Sequence, residues 1–111
     1  MPSRYAAFPH SGYFRRTIGA FEQRAPELLE RLPRLVDAPL DASTVEALWS
    51  TVSAGLDPQA DPGPALRRTR QLLMLAIIER DVSQRAPLDE ICAAISCWAE
   101  LSIRIERHAV R

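Results

Sequence analysis

Seven consecutive residues, Leu72 to Ile78, carry no polar side chain, and they lie inside a longer stretch, Pro64 to Ser83, that has no proline or glycine after its first position. At this length the run reads as a helix that is apolar most of the way round. Such a helix has no face to give to water, so it belongs at the centre of a packing unit. The remaining segments are one-sided and suited to covering it. Nothing alternates with period two over a useful length, so no sheet is expected. The fold class that follows is all-α: a small bundle of four to five helices with a C-terminal antiparallel hairpin of two long ones.

A chain of 111 residues is one domain's worth and can bury a modest core. Apolar residues make up 47% and charged residues 25%, a globular balance rather than a disordered or membrane-spanning one. The 14 basic residues, all arginine, are matched by 14 acidic ones, which leaves no overall bias toward nucleic acid or acidic lipid. The first 14 residues have no apolar core of the signal-peptide kind, and no apolar run approaches membrane length. The expected location is therefore the cytoplasm.

Taken in order, residues 1–10 hold two prolines and no periodicity and read as a loosely ordered arm, with Tyr5 and Phe8 able to latch onto the core. The single helical domain is expected over 11–111. Ser11 suits a cap, and Phe14, Ile18, Phe21 and Ala25 recur at helical spacing, which places a helix near 11–25. Pro26 opens a short helix over 26–32, closed before Pro33, with Leu28, Leu29 and Leu32 inward and 33–40 as connector. Ser43-x-x-Glu46 reads as a capping box for a helix over 43–54, whose stripe is Val45, Leu48, Trp49 and Val52, and Gly55 stops it. A proline-rich turn, 57–64, precedes the central helix over 64–83. The last helix, 88–109, sets Leu88, Ile91, Ile95, Trp98, Ser102 and Ile105 inward and Glu90, Cys97, Glu100, Arg104, Arg107 and Arg111 on the other side.

The order Arg67-Arg68-x-Arg70, apolar helix, Arg80-Asp81, then Leu88-Asp89-Glu90-Ile91 opening a helix that contains Ala99-Glu100, resembles a known family. It is similar to the helical region ahead of the first nucleotidyltransferase domain in bacterial glutamine synthetase adenylyltransferase/adenylyl-removing enzymes. The continuous likeness covers about the last 45 residues, and Ser11 to Leu32, ending in Pro26-Glu27-Leu28-Leu29, carries a looser one. The resemblance implies an enzyme that attaches AMP from ATP to a tyrosine of glutamine synthetase and removes it phosphorolytically. ATP and Mg2+ are implied for the full-length family, with glutamine synthetase, a nitrogen-signalling PII-type protein and the rest of the enzyme as partners.

The chemistry of nucleotidyl transfer needs carboxylates that hold magnesium against the triphosphate and a glycine-rich turn whose amides approach the phosphates. In the family this is a Gly-rich segment followed by Ser-Asp-x-Asp, and neither occurs here. Gly12, Gly19, Gly55 and Gly63 are isolated, and Asp57 and Asp61 sit among prolines. No catalytic, cofactor-binding or metal-binding residue is assigned, and this chain alone is expected to be inactive. His10 falls in the arm and His108 at a helix end, where a cation suits the dipole. Cys92 and Cys97, five apart on one helix, face different ways, and both read as inert thiols in apolar surroundings.

Arg67, Arg68 and Arg70 are the one cluster that suggests a contact, because cations at a helix N-terminus are opposed by its dipole unless acidic groups pair with them. Asp57, Asp61, and Glu79 or Asp81 of a neighbouring molecule are the acids within reach, and a following domain is the other source. Pairing of this kind is preferred to solvation, and nucleic acid comes last, since no basic stripe continues. Arg80 and Asp81 read as surface charges of little weight. Two functions follow: a scaffold for a nucleotidyltransferase domain beyond residue 111, or a stand-alone helical module that self-associates or binds a partner helix.

Overall fold

The computed structural model describes residues 4–57 and 59–109. It is all-helical over these residues, with six helices: α1 (Gly12–Arg24), α2 (Pro26–Leu29), α3 (Leu32–Val36), α4 (Ala42–Ser53), α5 (Gly63–Val82) and α6 (Leu88–Ala109). The apolar run forms the middle of α5, and Leu72, Leu73, Leu75, Ala76 and Ile77 are all buried. Helices α1, α3, α4 and α6 each pack against α5. The central segment is thus wrapped by its neighbours, as a helix without a polar face requires.

Local signals set several boundaries. The Ser11 hydroxyl accepts from the Phe14 amide at 3.1 Å and starts α1, whose Phe14, Ile18 and Phe21 are fully buried. Gly55, at φ +86°, ends α4 in the left-handed region that only glycine enters at little cost. The end of α5 uses the same geometry without a glycine. Gln84 sits at φ 61°, its amide donates to the Asp81 carbonyl at 3.0 Å, and the Arg85 amide donates to the Arg80 carbonyl at 2.8 Å. These two bonds form a Schellman cap.

Four expectations are corrected. Residues 26–36 form two turns rather than one helix and a connector, because Pro33 sits in the first turn of α3, where a missing N–H costs nothing. The cap of α4 is Asp41, not Ser43: its carboxylate accepts from the Thr44 amide at 2.9 Å and from the Ser43 hydroxyl at 2.8 Å. Those bonds hold the Asp41 carboxyl below the usual aspartate range. Of the arm, the described residues 4–10 are tied down rather than loose, with Ala7 fully buried and Tyr5 edge-on to Phe14 at 5.7 Å. The inward stripe of α6 also lies one step round from the expected one.

That stripe is Ile91, Ala94, Trp98 and Leu101, with Cys97 packed beside it, whereas Leu88 is 75% and Ile95 47% exposed. Helix α6 makes more of its contact with α4 than with α5, and Trp49 meets Trp98 at 6.5 Å between ring centroids. Two supports on one side leave the Leu88 face open. Arg111, placed on the polar side of this helix, and Pro58 of the proline-rich turn lie outside the described residues, as do residues 1–3. No helix among the described residues is long and apolar enough to cross a membrane.

Candidate functional site

The last turn of α1 and the first turns of α5 meet in a small cleft of about 110 Å³, lined by Ala20, Phe21, Arg24, Pro64, Arg67, Arg68 and Gln71. Arg67 and Arg68, expected to act together, do share this cleft. Arg70 is exposed outside it. Arg24 joins them from α1, a partnership invisible in sequence because 43 residues separate it from Arg67. The Arg68 guanidinium lies 5.9 Å from the centroid of the Phe21 ring, a cation–π contact that orients it along the cleft wall.

Charge in the cleft is uncompensated from within. Arg24 sits at the C-terminal end of α1, where the dipole favours it, but Arg67 and Arg68 stand near the N-terminal end of α5, where the dipole opposes them. None of the three makes an ion pair among the described residues. The acids expected to pair with them are occupied elsewhere. Asp57 accepts from the Gln59 amide at 2.8 Å and Asp61 from the Gly63 amide at 3.0 Å, each closing its own turn. Glu79 is buried at the far end of α5. The cleft therefore carries three arginines that no acid among the described residues pairs.

At that far end the structure overturns the reading of Arg80 as a surface charge. Arg80 is 5% exposed and fully partnered. Its Nε and Nη2 donate to the Glu90 carboxylate at 2.8 and 3.0 Å, Nη1 donates to the Val36 carbonyl at 2.9 Å, and Nη2 also to the Arg85 carbonyl at 3.2 Å. One guanidinium thus ties α3, α5 and the start of α6. The Glu90 carboxyl is held below its ordinary range, chiefly by the Arg80 hydrogen bonds, with burial opposing. Beside it Glu79, 4% exposed, accepts from the Ala6 and Ala7 amides at 2.9 and 2.8 Å and fastens the N-terminal segment.

Among the described residues no three His, Cys, Asp or Glu side chains come together. The Cys97 thiol is pushed up first by burial and then by Glu46 and Glu100, which keeps it protonated. Cys92, expected in apolar surroundings, is exposed, because it falls on the open face of α6.

No family model matches the sequence, and no solved structure matches it. Curated proteins do. The chain is 33% identical over 101 residues to the bifunctional glutamine synthetase adenylyltransferase/adenylyl-removing enzyme of Chromobacterium violaceum, a match covering 89% of this chain and 11% of that protein. The enzymes of the same name from Ralstonia nicotianae and Nitrosomonas europaea are 28% and 30% identical over 101 and 98 residues. The chain spans about a tenth of the length of these relatives. The resemblance found in the motifs therefore extends over nearly the whole chain and ties it to a segment of that enzyme family.

Proposed function

We propose that this chain, matched along 89% of its length to one segment of the bifunctional adenylyltransferase/adenylyl-removing enzymes, is a non-catalytic helical part of such an enzyme. In this reading it lies ahead of a nucleotidyltransferase domain beyond residue 111 and serves as its scaffold. The enzyme attaches AMP from ATP to a tyrosine of glutamine synthetase and removes it phosphorolytically in nitrogen regulation, with ATP and Mg2+ bound by the catalytic domain. Glutamine synthetase and a PII-type signalling protein are its partners, in the cytoplasm.

One observation carries this reading: a nearly complete match to the chain that is only 11% of the relative. The packing is consistent with a supporting role, since buried Arg80 ties α3, α5 and α6 together and buried Glu79 fastens the N-terminal segment to α5. The Arg24, Arg67 and Arg68 cleft is then the surface that receives an acidic group from the adjoining domain. Adenylyl transfer to glutamine synthetase tests the proposal. A protein extended past Arg111 through a Gly-rich turn and Ser-Asp-x-Asp transfers AMP, and the 111-residue chain does not. In the extended protein, Arg67→Glu with Arg68→Glu lowers transfer without unfolding it. Transfer or ATP binding by the 111 residues alone would contradict the reading.

A further inference from the structure

Three arginines line the cleft between α1 and α5 from two helices, and no acidic residue lines it with them. Arg24 comes from the last turn of α1, and Arg67 and Arg68 from the second turn of α5. Gathering like charges is unfavourable, and no carboxylate among the described residues pairs with them. Arg68 is restrained, half-buried with its guanidinium 5.9 Å from the centroid of the Phe21 ring. The N-terminal end of the α5 dipole adds positive potential on the same side. Gln71, one turn on from Arg67, brings to the wall an amide able to donate.

Size limits what such a cleft can hold. Its volume of about 110 Å³ is below the ~300–1,000 Å³ of pockets that take drug-sized organic ligands, and is room for roughly three or four waters. A small ion fits it and a nucleotide does not. Charge and donor number then decide between ions. Three guanidinium forks offer more donors than the two oxygens of one carboxylate can accept, and a single negative charge leaves most of theirs unbalanced. A tetrahedral dianion presents oxygens on several sides and twice the charge.

We propose that this cleft is a binding site for free inorganic phosphate, held by Arg24, Arg67 and Arg68 together. The inference stands on the cleft and holds whether or not the chain serves a longer enzyme. Within such an enzyme, phosphate and the acidic group of the adjoining domain compete for the same arginines. Arg24 and Arg67 are exposed, so ordering them offsets much of the gain, and the dissociation constant falls at about 1 mM.

An NMR titration of the 111-residue chain with sodium phosphate at fixed ionic strength, followed by the arginine Nε–H signals, is the test. The signals shift to saturation with a Kd of about 1 mM, and sulfate, of similar shape and charge, competes. Arg68→Gln weakens binding by ~10-fold and Arg24→Gln by ~3- to 10-fold, while Arg70→Gln, outside the cleft, leaves it unchanged. Arg24 is exposed and on the other helix, so its variant keeps the test open should Arg68→Gln disturb the Phe21 contact. Acetate binds at least ~10-fold more weakly than phosphate. Shifts that do not saturate by about 20 mM phosphate overturn the inference and leave the proposed function standing. A loss in Arg70→Gln as large as in Arg24→Gln also overturns it, because it reports general charge attraction, as does acetate binding as tightly as phosphate. ATP bound more tightly than phosphate overturns both this inference and the non-catalytic reading.

Discussion

The two ends of α5 carry arginines in opposite circumstances. At the C-terminal end Arg80 is 5% exposed, and its guanidinium donates to one carboxylate and two carbonyls. At the N-terminal end Arg67 is exposed, Arg68 half-buried against Phe21, and neither pairs with an acid among the described residues. One end spends its charge on holding the fold together, and the other leaves its charge unpaired among the described residues. Burial and the direction of the helix dipole separate the two roles; residue type does not.

Breaking the buried end should have the largest effect. Arg80→Met leaves Glu90, whose side chain is 13% exposed, without its cation, and strips the Val36 and Arg85 carbonyls of a donor. Urea unfolding should show a loss of about 3 kcal/mol, the lower part of the range for a broken buried pair because Glu90 keeps some water. Arg67→Ala in the same assay should fall within about 0.5 kcal/mol of the unaltered chain. Equal losses at the two positions would erase the distinction.

Next in size is Glu79→Ala, which leaves the Ala6 and Ala7 amides without an acceptor and should cost about 1–3 kcal/mol. Hydrogen exchange should also show faster exchange at Ala6 and Ala7, an effect Arg67→Ala does not produce.

Acid sharpens the same comparison. The folded-state carboxyl of Glu90 is lowered from 4.5, so it contributes stability that is fully present above the unfolded value and is lost as pH falls through the lower, folded one. Asp41 acts in the same direction. Unfolding followed from pH 7 downward should therefore show stability declining below about 4.5, and Glu90→Gln should flatten that decline. A decline unaltered in Glu90→Gln would place its source elsewhere.

The smallest expected change is a gain. Gln84 holds φ 61° at the end of α5, and Gln84→Gly relieves that strain for about 1 kcal/mol or less, read as a rise in melting temperature. A fall would mean that the glutamine side chain does more for the turn than its backbone costs.

What the sequence revealed was what neighbouring residues decide among themselves. The apolar run of α5, the Phe14, Ile18 and Phe21 stripe and the stop at Gly55 are local, and each is where the pattern put it. Arg80 looked like a surface charge because Val36, which it bonds, is 44 residues away, and the role of Glu79 was hidden for the same reason, Ala7 being 72 residues from it. The shift of the α6 stripe has a related origin. Periodicity identifies an apolar arc, but Leu88, Ile91, Ala94, Ile95 and Trp98 together are wider than one packed face, and only the placement of α4 decides which edge is covered. The cleft was half-legible, since Arg67 and Arg68 announced themselves and Arg24 did not.

The central claim is that α5 is the element around which the chain is wrapped, and native-state hydrogen exchange tests it most directly. The Leu72 to Ile78 amides should exchange more slowly than any others, with the free energy of global unfolding, while those of Ile103 to His108 in α6 exchange through local opening. Protection at Leu72 to Ile78 no greater than at Ile103 to His108 would contradict the account.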